Sequence, residues 1–308
     1  MLDIIGKRFW YFLISGVIIL AGIISLIVFG LKPGVEFSSG SLLTISFEQT
    51  LDVEQVKQAV SDSGYENAII QRTGEGDFLV RLPELGGAAR EALQDSLATR
   101  LGTIEVKEFD SVSPMIAEET TRNATIAVII SAIGMLFYIS WAFHRMPNPF
   151  RWGTCAIVSL VHDVLVVLGV FALLGGIFGW QVDLMFVTGI LTVIGYSIND
   201  VIVVFDRIRE NVGRNPGADF EVLVNNSLLE VISRSLITGL GTIFVLIALL
   251  LVVGANIQNL VVVLLVGIIT GTYSGMCTAA PLLVVWKKGE WSRFIPWRSR
   301  PAAKGEKA

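Results

Sequence analysis

The stretch LMFVTGILTVIGYSINDVIVVF, residues 184–205, has the composition of a membrane-spanning helix and contains one charged residue, Asp200. At about 1.5 Å rise per residue it extends over roughly 33 Å, enough to cross a hydrocarbon core about 30 Å thick. An ionised carboxylate inside that core costs at least about 2.5 kcal/mol, so it requires a partner, water or a proton. The stretch therefore predicts a span whose acid has a function.

The whole chain has the composition of a membrane protein. Of its 308 residues, 53% are apolar and 16% charged, and the mean hydropathy is +0.68, which is too apolar for an ordinary soluble domain. The first apolar run is longer than the apolar part of a signal peptide, so we expect an uncleaved anchor. Cys155 and Cys277 fall within predicted spans and indicate no disulfide framework. The other five predicted spans are 9–31, 124–143, 153–173, 236–253 and 260–286.

The distribution of charge predicts the orientation of the spans. Residues 31–123 hold 8 basic and 16 acidic residues, a net charge of −8, whereas the short loop 144–152 has two arginines and no acid. Because basic short loops stay in the cytoplasm, we expect both termini inside and the acidic segment outside. The predicted organisation is a first span within 1–31, an external domain at 32–122, five further spans within 123–286 with a cytoplasmic helical hairpin at about 206–233, and a basic cytoplasmic tail at 287–308.

Periodicity predicts a small domain in the acidic segment. Alternating apolar residues indicate a strand near 43–47, and Asp52 is a helix cap for an apolar face that ends at Gly64. We therefore predict a polytopic α-helical membrane protein with six spans and one small α+β domain of βαββαβ, or ferredoxin-like, order outside the cytoplasm between the first two spans. The later elements of this domain are strands near 68–71 and 78–82, a helix with leucines at 93, 97 and 101, and a strand near 104–107.

Three acids lie in or beside the predicted spans. Asp163 lies 12 residues after Arg151, roughly 18 Å along the helix and so near mid-membrane, whereas Asp200 lies in the cytoplasmic half of its span. Asp183 lies at the outer end of a span and reaches the interface. The helix that contains Asp200 has a polar stripe, which we expect to contact other protein, and the next span has a similar stripe. The stripe beside Asp200 consists of Thr188, Thr192, Gly195 and Asn199, and the stripe of the next span contains Arg234 and Thr238.

Arg234 is expected at about the depth of Asp200. An arginine favours the ionised form of a nearby carboxylate and burial favours its protonated form, so a carboxylate under both influences can bind and release a proton. The alternative is a static ion pair that fixes helix register. We predict a proton relay of Asp200 and Arg234, with Asp163 and His162 as further members. For His162, a hydrogen bond to a backbone carbonyl is an equally open alternative.

The last span contains Gly267, Gly271 and Gly275 at four-residue spacing, a pattern that lets helices approach closely. We interpret this series as packing. His144 and His162 lie on different predicted elements with no ligand cluster around them, so neither a metal site nor a cofactor is expected.

Four stretches of the sequence carry longer motifs, the longest being GYSINDVIVVFDRIREN at 195–211. The others are VHDV at 161–164, SRSLIT at 233–238 and GVEFSSG at 34–40. Together they resemble motifs of the SecF family of bacterial protein-export membrane subunits, where VHDV and SRSLIT are similar to motifs of the third and fifth spans and GVEFSSG to the motif after the first. The matching positions of this last motif are Gly34, Glu36, Phe37 and Gly40. Glu36 stands where the family has Asp, and Ser39 replaces the first glycine of a pair.

The resemblance implies that the chain pairs with SecD in a twelve-span complex of the resistance-nodulation-division type. Such a complex uses the proton-motive force to promote export through the SecYEG translocon. Further expected partners are YajC, the translocating unfolded polypeptide and membrane lipid, but no nucleic acid. The implied location is the prokaryotic cytoplasmic (inner) membrane, and no enzymatic activity is implied. Asp200 is then the proton-responsive carboxylate and Arg234 its charged neighbour, while the choice between H⁺ and Na⁺ stays open.

Two other classes of protein remain as alternatives. In an intramembrane aspartyl protease, Asp163 and Asp200 would share a proton and activate water. The different predicted depths of the two acids and the charge of Arg234 argue against it. A passive scaffold is the other alternative, and it predicts that neutral substitutions at Asp200 and Arg234 leave export intact.

Overall fold

The computed structural model describes residues 3–73, 76–252 and 255–293, so most of the predicted basic tail, 294–308, lies outside the described residues. The six predicted spans correspond to helices that are long and apolar enough to cross a membrane. Most of them extend beyond the apolar run that predicted them. They are α1 Arg8–Phe29 after a 3₁₀ turn at Ile5–Lys7, α5 Pro114–Ala142, α6 Pro149–Phe178, α7 Leu184–Arg214, α8 Phe220–Leu250, and a composite span of α9 Ala255–Ser274, a π-helical turn Gly275–Ala279 and α10 Ala280–Lys288.

The small domain lies between α1 and α5 in the chain. A capping box starts its first long helix, because the Asp52 carboxylate accepts a hydrogen bond from the Val53 N–H while the Gln55 side chain accepts one from the Asp52 N–H. Its four strands form one antiparallel sheet in the order β2-β3-β1-β4. The elements are a single helical turn α2 Val35–Ser38, then β1 Gly40–Phe47, α3 Val53–Asp62, β2 Ile69–Arg72, β3 Phe78–Leu82, α4 Gly87–Leu101 and β4 Ile104–Val112.

The chain enters β1 through two residues with positive φ. Gly40 has φ +119°, and a Cβ at this position would lie 2.6 Å from the Leu82 carbonyl oxygen. Only glycine fits there without a shift of the backbone. Ser39 has φ +60°, a left-handed conformation that glycine adopts most easily. Of the two positions that depart from the family motif, Ser39 is therefore the one where the backbone conformation favours the motif's glycine.

The membrane-spanning helices form a packed centre and a periphery. The centre consists of α6, α7 and the composite span, and an aromatic group of Phe143, Trp152 and Phe205 closes one end of it, with the first two rings stacked at 5.4 Å. By contrast, α1, α5 and α8 expose large apolar side chains such as Ile27 and Phe137. Lipid or other protein therefore surrounds these three helices.

α1 and α6 approach each other at a pair of glycines. A Cβ on Gly169 would lie 2.4 Å from the Cα atom of Gly22, a contact with backbone that no side-chain rotation relieves. Replacing Gly169 by Val is therefore expected to force the helices apart and to lower the free energy of unfolding by about 3 kcal/mol. Thermal unfolding of the purified protein in detergent measures the effect.

The matched control for this prediction is Gly16→Val on α1, where an added Cβ meets no neighbouring atom within 4 Å. We expect its unfolding midpoint to stay close to that of the unsubstituted protein. Equal midpoints for Gly16→Val and Gly169→Val would contradict the close approach of α1 and α6.

Candidate functional site

Asp163 is the most fully enclosed charged group of the described chain, with a relative exposure of 0%. Its Oδ2 atom accepts hydrogen bonds from the Ser197 hydroxyl at 2.5 Å and from the Ser274 hydroxyl at 2.8 Å. The two serines lie on α7 and α9. One carboxylate on α6 thus links three helices inside the packed centre, as expected for a buried acid whose hydrogen bonds are satisfied.

His162 lies beside Asp163 on the same helix and is 4% exposed. Its Nδ1 atom is 2.9 Å from Asp163 Oδ1, so the imidazole contacts a carboxylate and the alternative of a backbone carbonyl partner is wrong. The Nε2 atom is buried and has no hydrogen-bond partner among the described residues. When Nδ1 of a neutral ring donates to the Asp163 carboxylate, Nε2 is an acceptor, and here it is left without a donor among the described residues.

Asp200 lies on α7 three residues after Ser197, which is roughly 4.5 Å along the helix. Its side chain is buried, and Oδ2 accepts a hydrogen bond from the Thr272 hydroxyl at 3.2 Å. Since Ser197 contacts Asp163, the two acids differ in depth by about one helical turn. This difference is smaller than the sequence predicted, so depth no longer argues against an aspartyl protease. The argument against a protease is now that hydrogen bonds from Ser197 and Ser274 already occupy the Asp163 carboxylate.

A π-helical turn begins directly after Ser274, at Gly275–Ala279. Its first residue lies against the backbone of α7, because a Cβ on Gly275 would be 3.5 Å from the Val201 amide nitrogen and 3.6 Å from Asp200 Cβ. π-helical turns are rare and are often found at functional sites, where they re-aim side chains. Here the turn separates the hydroxyl-bearing part of the span from its basic end.

The glycine series of the last span packs against α7. Added Cβ atoms would meet Val193 at 2.1 Å from Gly267 and Ser197 at 3.0 Å from Gly271. The close approach brings Thr272 and Ser274, which lie among the glycines, within reach of the two acids. Sequence reasoning missed these two hydroxyls and Ser197, although hydroxyl residues adjacent to a packing glycine in an apolar span are a signal that points to them.

Arg234 and Asp200 do not form the predicted contact. Arg234 is exposed on α8 and has no ion pair within the described ranges. The Asp200 carboxylate accepts its hydrogen bond from Thr272 instead. Thr238 is also exposed and donates to the Arg234 carbonyl of its own helix. The predicted polar face of α7 is likewise uncovered by this chain, and it consists of Thr188, Thr192, Gly195 and Asn199.

The segment after α1 is tied to the loop between α6 and α7. The Gly34 N–H donates to the Val182 carbonyl at 2.6 Å, and the Val182 N–H donates to the Lys32 carbonyl at 2.7 Å. From the sheet, the Arg81 guanidinium donates to the Pro33 carbonyl at 2.7 Å. We call this connection, formed by residues 32–38, Arg81 and Val182, the α1–α7 junction. Three motif residues, Gly34, Glu36 and Phe37, belong to it, and Phe37 also borders a neighbouring cleft between α2 and α5.

Glu36 is expected to make the α1–α7 junction sensitive to pH. Burial raises its pKa, and the nearby carboxylates of Asp183 and Asp110 act in the same direction, whereas Arg81 opposes them. Burial also raises the pKa of Asp183, although its hydrogen bonds with the Phe186 N–H and Asn259 work against the rise. A raised pKa means that the folded junction binds protons more tightly than the unfolded chain.

The stabilising contribution of these protons is therefore full below the ordinary pKa of a carboxyl and is lost as the pH rises through the raised values. We expect the backbone N–H groups of residues 34–38 to be better protected from hydrogen exchange at about pH 4 than at about pH 7, after correction for the intrinsic rate. Glu36→Gln should remove most of the dependence, and Glu84→Gln, which alters an exposed acid of the same domain, should keep it. Unchanged dependence in Glu36→Gln would contradict the assignment.

Comparison with known proteins identifies the family. A family model described as "Protein export membrane protein SecD/SecF, C-terminal" matches residues 92–289, and one described as "SecD/SecF GG Motif" matches residues 24–51. Protein translocase subunit SecF of Thermobaculum terrenum is 40% identical over 98% of this chain and 99% of its own length. SecF of Anaerolinea thermophila is 41% identical over 98% of this chain and all of its own length.

Longer relatives contain a region like this chain. The crystal structure of SecDF, a translocon-associated membrane protein from Thermus thermophilus, has a TM-score of 0.85 at 30% identity and covers 93% of this chain, which spans 39% of that SecDF. Protein translocase subunit SecDF of Bacillus subtilis is 34% identical over 94% of this chain and 38% of its own length. A full-length match to SecF subunits, a matching family model and six span-forming helices agree, and the chain belongs to the SecF family of multi-pass protein translocase subunits.

Proposed function

We propose that the chain is the SecF subunit of a SecD–SecF complex that uses the proton-motive force to promote protein export through the Sec translocon of the bacterial cytoplasmic membrane. The proposal rests on the burial of the Asp200 carboxylate in an apolar helix, where, within the described residues, one side-chain hydroxyl donates to it, that of Thr272 at 3.2 Å. Since a single hydroxyl compensates little of the cost of burying a charge, Asp200 is suited to bind and release a proton.

The mechanism follows from the two carboxylates. Asp163 is held by Ser197, Ser274 and His162 and acts as the fixed member, whereas Asp200 is the member that changes charge. Protonation of Asp200 removes a buried negative charge between α7 and α9 and shifts the balance between two arrangements of these helices. His162 holds Asp163 through Nδ1, and its Nε2 atom, which has no partner among the described residues, is the further proton-accepting group of the relay.

The α1–α7 junction transmits the movement to the small domain. α7 runs without interruption from Asp200 to its N-terminal cap Asp183, and the residue before the cap, Val182, is bonded to residues 32 and 34. A shift of α7 along its axis therefore pulls on the segment that leads into β1. In this proposal the domain is ferredoxin-like and extracytoplasmic, in keeping with its strand order and the net charge of −8 over residues 31–123, and both termini are cytoplasmic.

SecD is proposed to cover the polar face of this subunit, in an assembly of twelve spans. Arg234 is a charged group within an apolar helix and has no ion pair in the described chain, so in a bilayer it requires an acid or water from outside the subunit. We propose that SecD supplies a carboxylate to Arg234, close to Asp200. SecYEG, YajC and the translocating polypeptide are proposed as further partners on family resemblance.

Export into inverted membrane vesicles tests the proposal. Vesicles with and without this subunit are compared for the amount of precursor that becomes protected from protease, under an imposed proton gradient, an imposed sodium gradient or neither. We expect the subunit to stimulate export with a gradient and not without one, and the effective gradient identifies the coupling ion. Stimulation of equal size without any gradient would support a passive scaffold. Gradient-independent cleavage of a membrane substrate by the purified chain would support a protease.

A further inference from the structure

One end of the helix bundle contains a basic cavity where α6 begins and α10 ends. The cavity has a volume of about 120 Å³ and combines cationic and aromatic side chains. Arg151 and Trp152 come from the first turn of α6, Phe220 from the start of α8 and Lys287 from the end of α10. These four residues define what we call the basic cavity. Two helices that are distant in sequence, α6 and α10, therefore each contribute one basic side chain to the lining of the same small cavity.

The two cations of the basic cavity differ from the other basic residues around them. Arg207, Arg209, Arg214 and Lys288, at the same end of the bundle, each form an ion pair with a carboxylate. Within the described ranges, neither Arg151 nor Lys287 has an acidic side chain within ion-pair distance. The charge of Asp219 acts on Lys287, but this carboxylate lies 3.9 Å from the Lys288 ammonium. The basic cavity thus holds two cations that have no direct ion pair within the described ranges.

Aromatic rings hold the two cations in place instead of carboxylates. The Lys287 ammonium lies 3.7 Å from the centroid of the Phe220 ring, and the Arg151 guanidinium lies 6.0 Å from that of Trp286. A cation on the face of a ring keeps its N–H groups free to donate hydrogen bonds. The side chain of Asn148 makes no capping hydrogen bond to α6, so the positive end of this long helix adds to the potential in the cavity.

We propose that the basic cavity binds the phosphate group of an anionic phospholipid. Phosphate is the anion that a convergent Arg and Lys recognise with charge-assisted hydrogen bonds. The lipid is favoured over free phosphate by position, because the cavity lies at the ends of three spans, where the head groups of a bilayer are. Phe150, 63% exposed and next to the cavity, is available for contact with the acyl chains. The lipid would join α6, α8 and α10.

Native mass spectrometry of the purified full-length chain tests the proposal, with phosphatidylglycerol and phosphatidylcholine as probes. For the double variant Arg151→Gln/Lys287→Gln we expect phosphatidylglycerol binding to weaken by roughly fivefold per residue removed, and phosphatidylcholine binding to stay unchanged. Arg214→Gln is the matched control, because it removes a charge from the same end that is already paired with Glu210. We expect it to bind like the unsubstituted chain.

Three results would overturn the proposal. The first is phosphatidylglycerol binding by the double variant within twofold of the unsubstituted chain. The second is an equal loss in Arg214→Gln, which would indicate a general effect of net charge. The third is complete displacement of the lipid by an equimolar amount of inorganic phosphate, which would identify a site for the free anion. Unfolding midpoints in detergent accompany each variant, and Lys287→Gln alone, at an exposed position, replaces the double variant if that one unfolds.

Discussion

Replacing Asp200 by Asn is expected to reduce gradient-driven stimulation of export to the level of membranes that lack the subunit. Asn has the shape of Asp and its side-chain oxygen accepts the hydrogen bond that Thr272 donates, so the helices keep their packing. The amide, however, cannot change charge when a proton arrives. The step that converts proton binding into a helix shift is therefore lost while insertion and folding are retained. Export into inverted vesicles, with the amount of inserted subunit measured on the same membranes, gives the answer.

The matched control for Asp200→Asn is Asp206→Asn on the same helix. Asp206 is exposed and forms an ion pair with Arg209, three residues later on the same helix. Such a pair stabilises a helix by a few tenths of a kcal/mol. We expect this variant to retain nearly full stimulation. Undiminished stimulation in Asp200→Asn, or an equal loss in both variants, would remove Asp200 from the coupling step.

Replacing Arg234 by Gln is expected to abolish stimulation of export without altering the stability of the isolated subunit. The guanidinium is exposed and has no ion pair in the described part of the chain, so its removal should change the free energy of unfolding by no more than about 0.5 kcal/mol. In the assembled complex, by contrast, the loss should leave the proposed carboxylate of SecD without its partner. The two measurements are thermal unfolding of the purified subunit and gradient-driven export by the complex.

Asp163→Ala is the counterpart of this experiment, because it should affect the isolated subunit directly. The substitution deprives the hydroxyls of Ser197 and Ser274 and the Nδ1 atom of His162 of their acceptor. Each buried donor left without a partner costs about 1–3 kcal/mol, so a large fall in the unfolding midpoint is expected. If Arg234→Gln destabilised the isolated subunit as much as Asp163→Ala, Arg234 would have a partner within the chain and the proposed contact with SecD would be wrong.

Hydropathy and periodicity predicted the six spans and the βαββαβ order, because both depend on local patterns that any fold of this chain must satisfy. The partners of the two acids were not predictable in the same way. Ser197 and Ser274 reach Asp163 because α9 packs on α7 at Gly267 and Gly271, and the rotation of one helix against another depends on their combined surfaces. Counting residues along the two helices separately also overestimated the difference in depth between Asp163 and Asp200, since distance along one helix does not give its alignment with the next.

The prediction for Arg234 had a different weakness. It assumed that two charged groups on consecutive spans of one chain are partners of each other. A subunit of a complex distributes its contacts over several chains, and the exposed faces of α7 and α8 indicate where contacts outside this chain are needed. Two polar stripes on consecutive spans are therefore not evidence that the stripes face each other, because each of them can face another protein.

The π-helical turn at Gly275–Ala279 shifts the phase of the last span. An α-helix advances about 100° per residue, so one additional residue in a turn rotates everything that follows by about that angle. The glycine face that packs on α7 and the face of α10 that presents Lys287 to the basic cavity therefore belong to two different helical registers. Deleting one residue within 275–279 would convert the last span into one continuous α-helix with a single register. Lys287 would then rotate away from Arg151, although neither of these residues had been replaced.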